Sequence, residues 1–196
     1  MAAEDVTHHS VPEIVINRDC PVSRCFLIVR RPGDDGGADP SETIYHGLWH
    51  QNGGSEIAIE DEDGHRVGTV RHVPKSSPTG MNWGYAGSGP ADAARSLLIE
   101  VLGEDAICPV CAGTGRVVYV GDDAEGMPQA EPFDPERHPW AQRGWICKCD
   151  EGYRHLPYSR FTSEFVIHWG KEWTMSRDSI LQWLNSTSQT GPEPGA

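Results

Sequence analysis

Four cysteines stand in two close pairs, Cys108-Pro-Val-Cys111 and Cys147-Lys-Cys149. Two thiolates a few residues apart on a tight turn can direct both sulfur atoms at one tetrahedral metal ion. Gly113 follows the first pair and suits the positive-φ backbone that curls around such a turn. The pattern therefore predicts a structural Zn2+ site with four ligands: Cys108, Cys111, Cys147 and Cys149.

The second pair departs from the usual spacing, because one residue rather than two separates its cysteines. This spacing crowds the two sulfur atoms, so His138, Asp150 or His155 stays open as a replacement for one of them. Closing the 35 residues between Cys111 and Cys147 costs about 3 kcal/mol of loop entropy. Structural zinc contributes roughly 10–16 kcal/mol in small peptides, so a zinc ion can hold this loop closed.

Other states of the four thiols stay open: a disulfide, free or redox-active thiols, and a catalytic metal. A reducing cytosol disfavours disulfides, and four cysteine ligands leave a metal no open position for catalysis. Cys20 and Cys25 stand apart from this set. We expect them to be small buried side chains, with a second metal half-site as the alternative.

The residues around the first pair, Cys108-Pro-Val-Cys111-Ala-Gly-Thr-Gly115, resemble the knuckle of zinc ribbons and of the DnaJ cysteine-rich domain. The resemblance implies a metal site and does not imply chaperone activity. In such a ribbon, residues 116–120 and 143–146 are expected to be the two strands of a hairpin. The proline-rich residues 121–139 are expected to be a mobile connection at its tip.

A glycine-rich segment, residues 83–90, is the second feature that could carry chemistry. We expect Trp83 and Tyr85 to share one face of an extended strand, and the glycines to allow a sharp turn into a helix. Pro90 suits the first helical position, with one of the two preceding residues as the cap. The residues of this turn or ligand motif are Trp83, Tyr85, Gly87, Ser88, Gly89 and Pro90.

Two functional interpretations compete with a structural turn in this segment. Free backbone N–H groups at a helix start can hold an anion, and Ser88 can serve as a nucleophile if a distant histidine, His46 or His72, lies beside it. Asp92 already places negative charge near the helix start. We therefore expect a structural turn.

The same segment carries a family resemblance. Tyr45-His46-Gly47, residues 82–94 and a late set of aromatic and aliphatic residues between Phe161 and Leu184 resemble a small uncharacterised domain of bacteria, phages and plasmids. The resemblance covers about residues 42–104 and 156–184. Ala93 stands where the family has a larger apolar residue, and residues 108–152 are inserted. The resemblance implies a mobile-element context and no particular activity.

Strands are predicted mainly in the first half of the chain by alternating apolar residues and by turn signals. Glu60-Asp-Glu-Asp63 followed by Gly64 is typical of a hairpin turn, with a metal-binding acidic loop as the alternative. A bulge is expected near Gly68. Five strands are predicted: residues 11–17, 25–30, 43–49, 55–60 and 65–73.

Helices are predicted mainly in the second half. Residues 91–102 carry an apolar stripe at helical spacing, and Gly103 ends it. A second helix is expected over residues 161–169, a short strand over 172–175, and a third helix capped by Ser176. This order favours the α+β class, with a small mainly antiparallel sheet, about three helices and an inserted zinc-ribbon hairpin.

Four regions follow from these patterns. Residues 1–40 are an N-terminal strand pair with a linker, and residues 41–104 together with 153–185 form the α+β core. Residues 105–152 are the zinc-ribbon insertion, and residues 186–196 are a flexible tail.

Seven tryptophans are many for this length. Trp49, Trp140 and Trp145 fall in or beside loops; we expect burial beneath those loops, with an exposed rim for protein contact as the alternative. The other four are expected in the core: Trp83, Trp169, Trp173 and Trp183.

Charge and hydropathy narrow the function classes. The 196 residues carry a net charge of −13, which disfavours electrostatic binding to the phosphate backbone of a nucleic acid. The sequence has no apolar run long enough for a membrane span and no signal peptide at its start, so we expect a cytoplasmic protein. Residues 105–152 hold 4 basic and 9 acidic residues, a poor balance for nucleic-acid binding.

Three functions remain as hypotheses. The first is a zinc-stabilised interaction or inhibitory protein that docks to a host or viral protein; mimicry of DNA by carboxylates is one form of this hypothesis. The second is a small enzyme centred on Ser88, whose glycine-rich loop binds an anion. The third is direct nucleic-acid binding through the zinc ribbon. We favour a binding protein over an enzyme.

Overall fold

The computed structural model describes residues 43–51 and 53–189. These residues form two antiparallel sheets and three α-helices, which confirms the α+β class. The predicted strands at 11–17 and 25–30, with Cys20 and Cys25, lie outside the described residues. The elements in chain order are β1 (Ile44–Trp49), β2 (Ser55–Glu60), β3 (Arg66–Thr69), α1 (Ser88–Leu102), β4 (Arg116–Asp122), β5 (Pro128–Pro132), β6 (Trp145–Ile146), α2 (Tyr158–Glu164), β7 (Glu172–Ser176) and α3 (Arg177–Gln189).

The larger sheet has the strand order β3-β2-β1-β7, with every neighbouring pair antiparallel. Its central strand, β1, alternates as a half-buried strand should, because Tyr45 and Gly47 are buried whereas His46 and Leu48 are partly exposed. Gly47 pairs with Trp173 of β7. The missing side chain at Gly47 leaves room for that indole ring.

Trp173 lies in a cluster of aromatic rings on the buried side of the sheet. It stacks on Trp169 with ring centroids 3.7 Å apart and meets the edge of Trp83 at 5.6 Å. The indole N–H groups of Trp83 and Trp173 are buried with no acceptor among the described residues. Shape and dispersion, rather than hydrogen bonds, therefore hold these two rings.

Replacing Gly47 with alanine is expected to lower the free energy of unfolding by about 1–3 kcal/mol. The new Cβ would lie 2.0 Å from Trp173 Nε1, and the stacked rings leave Trp173 little room to move. Urea unfolding followed by tryptophan fluorescence measures the effect. Gly68→Ala is the matched control, because its Cβ would meet Ile59 Cδ1 at an ordinary 3.5 Å; equal losses in the two variants would contradict the packing argument.

The acidic segment after β2 is a hairpin turn, as its sequence predicts. Asp61 Oδ1 accepts hydrogen bonds from the backbone N–H groups of Asp63 and His65 at 3.1 and 2.7 Å, and Gly64 has a φ of 75°. The register between β2 and β3 shifts beside Gly68, which confirms the expected irregularity there.

His46 bridges three strands on the outer face of the sheet. Its Nδ1 lies 2.8 Å from Glu60 Oε1 and its Nε2 lies 2.9 Å from Glu172 Oε1. Burial by itself lowers the pKa of His46. The two carboxylates outweigh that effect and hold the pKa above its ordinary value of 6.5.

The raised pKa of His46 makes the stability of the sheet depend on pH. A group with a raised folded-state pKa contributes stability that is complete below its unfolded pKa and is lost as the pH rises through the folded pKa. We therefore expect the wild type to lose its advantage over His46→Gln as the pH rises above 6.5, the ordinary pKa of histidine. Urea unfolding of both proteins at several pH values on either side of this point tests the expectation, and a constant difference would contradict it.

Helix α1 is the centre of the core. Its apolar stripe, predicted over residues 91–102, packs against α2 and α3, and Gly103 ends the helix with a φ of 55°. The helix begins three residues earlier than predicted, at Ser88, and its N-cap is Gly87 with no side-chain hydrogen bond. The prediction of Pro90 at the first helical position is therefore wrong; as the third residue it still lies in the first turn, where no intrahelical N–H is required.

The C-terminal elements follow the predicted order with different bounds. The predicted helix over residues 161–169 is a shorter α2 followed by a turn of 3₁₀-helix, Val166–His168. Ser176 Oγ accepts the N–H of Ser179 at 3.2 Å, which confirms it as the cap of α3. Helix α3 continues to Gln189, beyond residue 186, where we expected the tail to begin. None of the helices in the described ranges is both long and apolar enough to cross a membrane.

The smaller sheet, with the order β5-β4-β6, lies within the predicted insertion. Its strands β4 and β6 match the expected pair, but residues 128–132 form a third strand that pairs with the other edge of β4. The expectation of a mobile connection is wrong for these residues. Pro128 and Pro132 occupy the two ends of an edge strand, where a proline does not interrupt the hydrogen-bond ladder.

Candidate metal centre

The four cysteines of the two predicted pairs come together at the base of the smaller sheet. All four sulfur atoms lie within 4.8 Å of one another. Cys108 Sγ lies 3.9 Å from Cys147 Sγ, and Cys111 Sγ lies 3.6 Å from Cys149 Sγ. A tetrahedron with metal–sulfur bonds of about 2.3 Å has sulfur–sulfur edges of about 3.8 Å, so the cluster has the dimensions of a four-cysteine metal site.

The backbone around the cysteines explains why this sequence brings the two pairs together. Gly113 and Gly152 face each other so closely that a Cβ on Gly152 would lie 2.3 Å from the Gly113 carbonyl oxygen. Both have a positive φ, which only glycine adopts without strain. Two backbone bonds then join the pairs, from Cys108 N–H to Gly152 O and from Cys147 N–H to Gly115 O, each 2.9 Å long.

The close spacing of Cys147 and Cys149 does not prevent the cluster. The two sulfur atoms approach different partners in the first pair, so one intervening residue is enough. Three of the cysteines are buried and Cys149 is partly exposed, which leaves the cluster close to the surface.

The alternative ligands named from sequence all have other partners. His155 Nε2 lies 2.8 Å from the Lys148 carbonyl oxygen. His138 bonds to the Glu131 carboxylate, and Asp150 is held by cations, as described below. Among the described residues, the group that could hold a metal at this place contains the four cysteines alone.

The thiols of the cluster have unequal acidity. Burial raises the pKa of Cys149 to about 12, although the Gly152 N–H works in the opposite direction. At Cys108 burial also raises the pKa, but the backbone N–H groups of Cys111 and Val110 outweigh it and bring the pKa below its ordinary value. Four thiolates at these distances repel one another unless a cation lies between them. The arrangement can therefore bind a metal ion.

Asp150, the residue after Cys149, ties the cluster to the core. Its carboxylate accepts a hydrogen bond from Arg95 Nε at 3.0 Å and another from Lys75 Nζ. Arg95 is 1 % exposed and Asp150 is 6 % exposed. Burial raises the pKa of Asp150, but the two cations outweigh it and hold that pKa below its ordinary value.

Sequence reasoning missed this buried ion pair. Arg95 is buried on α1 beside the apolar stripe, and its Nη1 also donates to the Val73 carbonyl oxygen at 3.0 Å. A cation on a buried helix face requires an anion beside it. The sequence could therefore have indicated that a carboxylate lies beside Arg95, but not which carboxylate it is.

The glycine-rich segment does not form the predicted strand. Trp83 is 1 % exposed and Tyr85 is 47 % exposed, so the prediction that they share a face is wrong. Gly84, with a φ of 84°, reverses the chain between them, and its N–H donates to the Val166 carbonyl oxygen at 3.0 Å.

The Tyr85 ring lies across the start of α1. A Cβ on Gly87 would come within 2.8 Å of the ring, and a Cβ on Gly89 within 2.8 Å of the tyrosine hydroxyl oxygen. The glycines are therefore required for the close approach of Tyr85, in agreement with the structural turn that we expected here.

Ser88 is exposed at the first turn of α1. Its hydroxyl has no histidine partner among the described residues, because His46 bonds to Glu60 and Glu172, and His72 Nε2 lies 3.3 Å from Asp92 Oδ2. Neither of the two histidines considered from sequence, His46 or His72, is therefore available as a base for Ser88.

Asp92 has a different role from the one expected. Its buried carboxylate accepts the backbone N–H groups of Lys75, Ser76 and Ser77 at 2.9, 3.0 and 2.9 Å. Burial raises its pKa, but these bonds outweigh that effect and hold the pKa below its ordinary value. Asp92 therefore anchors the loop before the glycine-rich segment instead of compensating the helix start.

The loop tryptophans are exposed. Trp49, Trp140 and Trp145 are 41 %, 60 % and 59 % exposed, so the expected burial beneath long loops is wrong. Trp140 and Trp145 line one cleft beside the smaller sheet, whereas Trp49 meets the edge of Trp83.

Comparison with known proteins adds one likeness. Residues 45–111 match the model of a family of unknown function, DUF6166. No curated protein and no solved structure matches the chain. The matched part runs from β1 through α1 to the first cysteine pair and ends before the second pair. The chain is thus similar, over that part, to an uncharacterised domain family.

Proposed function

We propose that this chain is a protein-binding module in which a structural zinc ion fixes an arm that presents exposed tryptophans to a partner. The arm, called the cysteine arm below, comprises residues 107–153 and contains β4, β5 and β6. The observation that carries the proposal is the exposure of Trp140 and Trp145 on the arm that the cysteine cluster closes.

Zinc is the metal that best suits the cluster. Thiolate ligands select soft ions, and a tetrahedral set of four sulfurs is typical of zinc or of iron–sulfur centres. Four protein ligands leave no position for a substrate or water, which favours a structural role over a catalytic one. We infer a cytoplasmic location, where thiols stay reduced.

The surface of the cysteine arm supports a protein partner. Large apolar side chains are exposed on it, and such patches mark interaction sites on proteins. Tryptophan is enriched among the residues that dominate binding energy at protein interfaces. Of the exposed apolar residues of the arm, we assign Trp140, Trp145 and Ile146 to this surface, whereas Met127 lies in the turn between β4 and β5.

The class of partner follows from the family resemblance and the charge. The likeness to a domain of phages and plasmids leads us to propose a host or viral protein, and binding that inhibits it. The net charge of −13 disfavours direct binding to nucleic acid.

A quantitative pull-down tests the proposed function. The tagged, zinc-loaded chain is compared with a Trp140→Ala/Trp145→Ala variant and with Met127→Ala, which truncates an exposed apolar residue elsewhere on the arm. We expect one host protein in stoichiometric amount with the wild type and the Met127 control, and its loss with the double variant. The proposal fails if no protein is captured, or if capture does not depend on the tryptophans.

A further inference from the structure

The cleft between the two exposed tryptophans has a definite composition. It has a volume of about 370 Å³ and is lined by Trp140, Ala141, Gln142, Arg143, Gly144 and Trp145. We call it the tryptophan cleft. Two of the lining residues are tryptophans, and the arginine among them is exposed.

The lining of the tryptophan cleft carries one positive charge and no negative charge, although Glu131 lies close by, bonded to the His138 ring that contacts Trp140. Residues 137–149 contain Arg137, Arg143 and Lys148 and no aspartate or glutamate, whereas the whole chain carries −13. Arg116 adds a further cation, since its Nη1 donates to the Arg143 carbonyl oxygen at 3.1 Å.

Three of these cations have no carboxylate partner. Arg137 lies 3.5 Å from Glu131, but no described carboxylate lies within ion-pair distance of Arg116, Arg143 or Lys148. Elsewhere in the described residues, Arg66, Arg95 and Arg160 each face a carboxylate, whereas Arg71 and Arg177 donate to the Tyr153 hydroxyl and to the Val101 carbonyl oxygen. The tryptophan cleft is therefore a small basic, aromatic surface on an acidic protein.

We infer that the tryptophan cleft binds an acidic peptide segment of the partner that carries an aromatic or aliphatic side chain. The apolar side chain lies between Trp140 and Trp145, and a neighbouring carboxylate is held by the guanidinium of Arg143, whose planar fork suits a carboxylate. This inference rests on the proposed function and names the chemistry of the partner.

A polynucleotide fits the observations less well. Affinity for a polynucleotide grows with each phosphate that a cation neutralises. Among the described residues, three cations without a carboxylate partner lie in residues 137–149 or are bonded to them: Arg116, Arg143 and Lys148. The remaining negative charge of the chain repels a long polyanion more strongly than it repels a short peptide with a few carboxylates.

Selection from a random library of 12-residue peptides tests the inference. The probe is the library itself, and the immobilised target is the zinc-loaded full chain. Because the chain carries −13, non-specific capture should favour basic peptides, so enrichment of acidic residues beside phenylalanine, tryptophan or leucine is diagnostic. We expect that enrichment, and we expect the selected peptides to lose about tenfold in affinity with Arg143→Glu and with Trp140→Ala, but not with Met127→Ala.

The outcomes separate the two proposals. Selected peptides without an excess of acidic residues, or with affinity unchanged by Arg143→Glu, would overturn the acidic-peptide inference. A dT20 oligonucleotide that binds more tightly than the peptides would overturn it in favour of single-stranded nucleic acid. If the pull-down partner depends on the tryptophans and not on Arg143, the proposed function stands and only this inference fails.

Discussion

Replacing Cys111 with serine is expected to abolish zinc binding and to unfold the cysteine arm. Cys111 is fully buried at the centre of the cluster, and a serine hydroxyl does not replace a thiolate as a zinc ligand. Structural zinc contributes roughly 10–16 kcal/mol in small peptides. We expect the zinc content to fall from one ion per chain to almost none, and backbone amides of the arm to lose protection from hydrogen exchange.

Metal analysis of the purified chain, with hydrogen exchange of the same samples, measures both effects. Cys20→Ser is the matched control, because it removes a thiol that the sequence places outside the four-cysteine set; it is expected to keep its zinc. Wild-type protein with less than half an equivalent of zinc would overturn the zinc assignment. A Cys111→Ser variant that retains full zinc would exclude Cys111 as a ligand.

Replacing Asp150 with alanine is expected to lower the free energy of unfolding by about 3–5 kcal/mol, because it removes the buried carboxylate that pairs with the buried charge of Arg95. The Glu151 carboxylate that remains, 3.5 Å from Arg95 Nη2, is mostly exposed to water and compensates that charge less well. The same change is expected to leave the zinc content at one ion per chain. The carboxylate of Asp150 is directed at Arg95 and Lys75 rather than at the sulfur atoms. Chemical denaturation and metal analysis of the same variant separate the two roles.

A double variant controls for loss of the charge pair itself. Arg95→Met together with Asp150→Leu removes both charges, and apolar replacement of a buried ion pair is often neutral or stabilising. We expect it to recover most of the stability that Asp150→Ala loses. A loss below about 1 kcal/mol in the single variant would indicate that the pair is solvated and does not anchor the arm.

Local patterns were reliable guides where a structural feature depends on neighbours in the chain. The apolar stripe of α1, the turn of Asp61 and Gly64, and the cap at Ser176 all rest on contacts within a few residues, so their sequences predicted them. The four-cysteine cluster was also predicted, although its members are far apart, because few other roles suit two cysteine pairs with adjacent glycines.

Features that depend on distant parts of the chain could not be predicted in this way. Trp83 is buried and Tyr85 is exposed because the chain bends at Gly84, whose N–H donates to the backbone carbonyl of residue 166. No pattern around the motif predicts that hydrogen bond. Residues 128–132 become a strand because β4 offers them an open edge. The three-dimensional arrangement decided both cases.

The amino-acid sequence by itself determined the α+β class, the helix at the centre of the core and the residues of the candidate metal centre. Only the tertiary structure decided that Asp150 neutralises Arg95, 55 residues away in the chain, and that Trp140 and Trp145 remain exposed beside unpaired cations. The physical reason is that helical periodicity and turn chemistry are local. Burial, ion pairing and exposure depend on which surfaces the whole fold brings together.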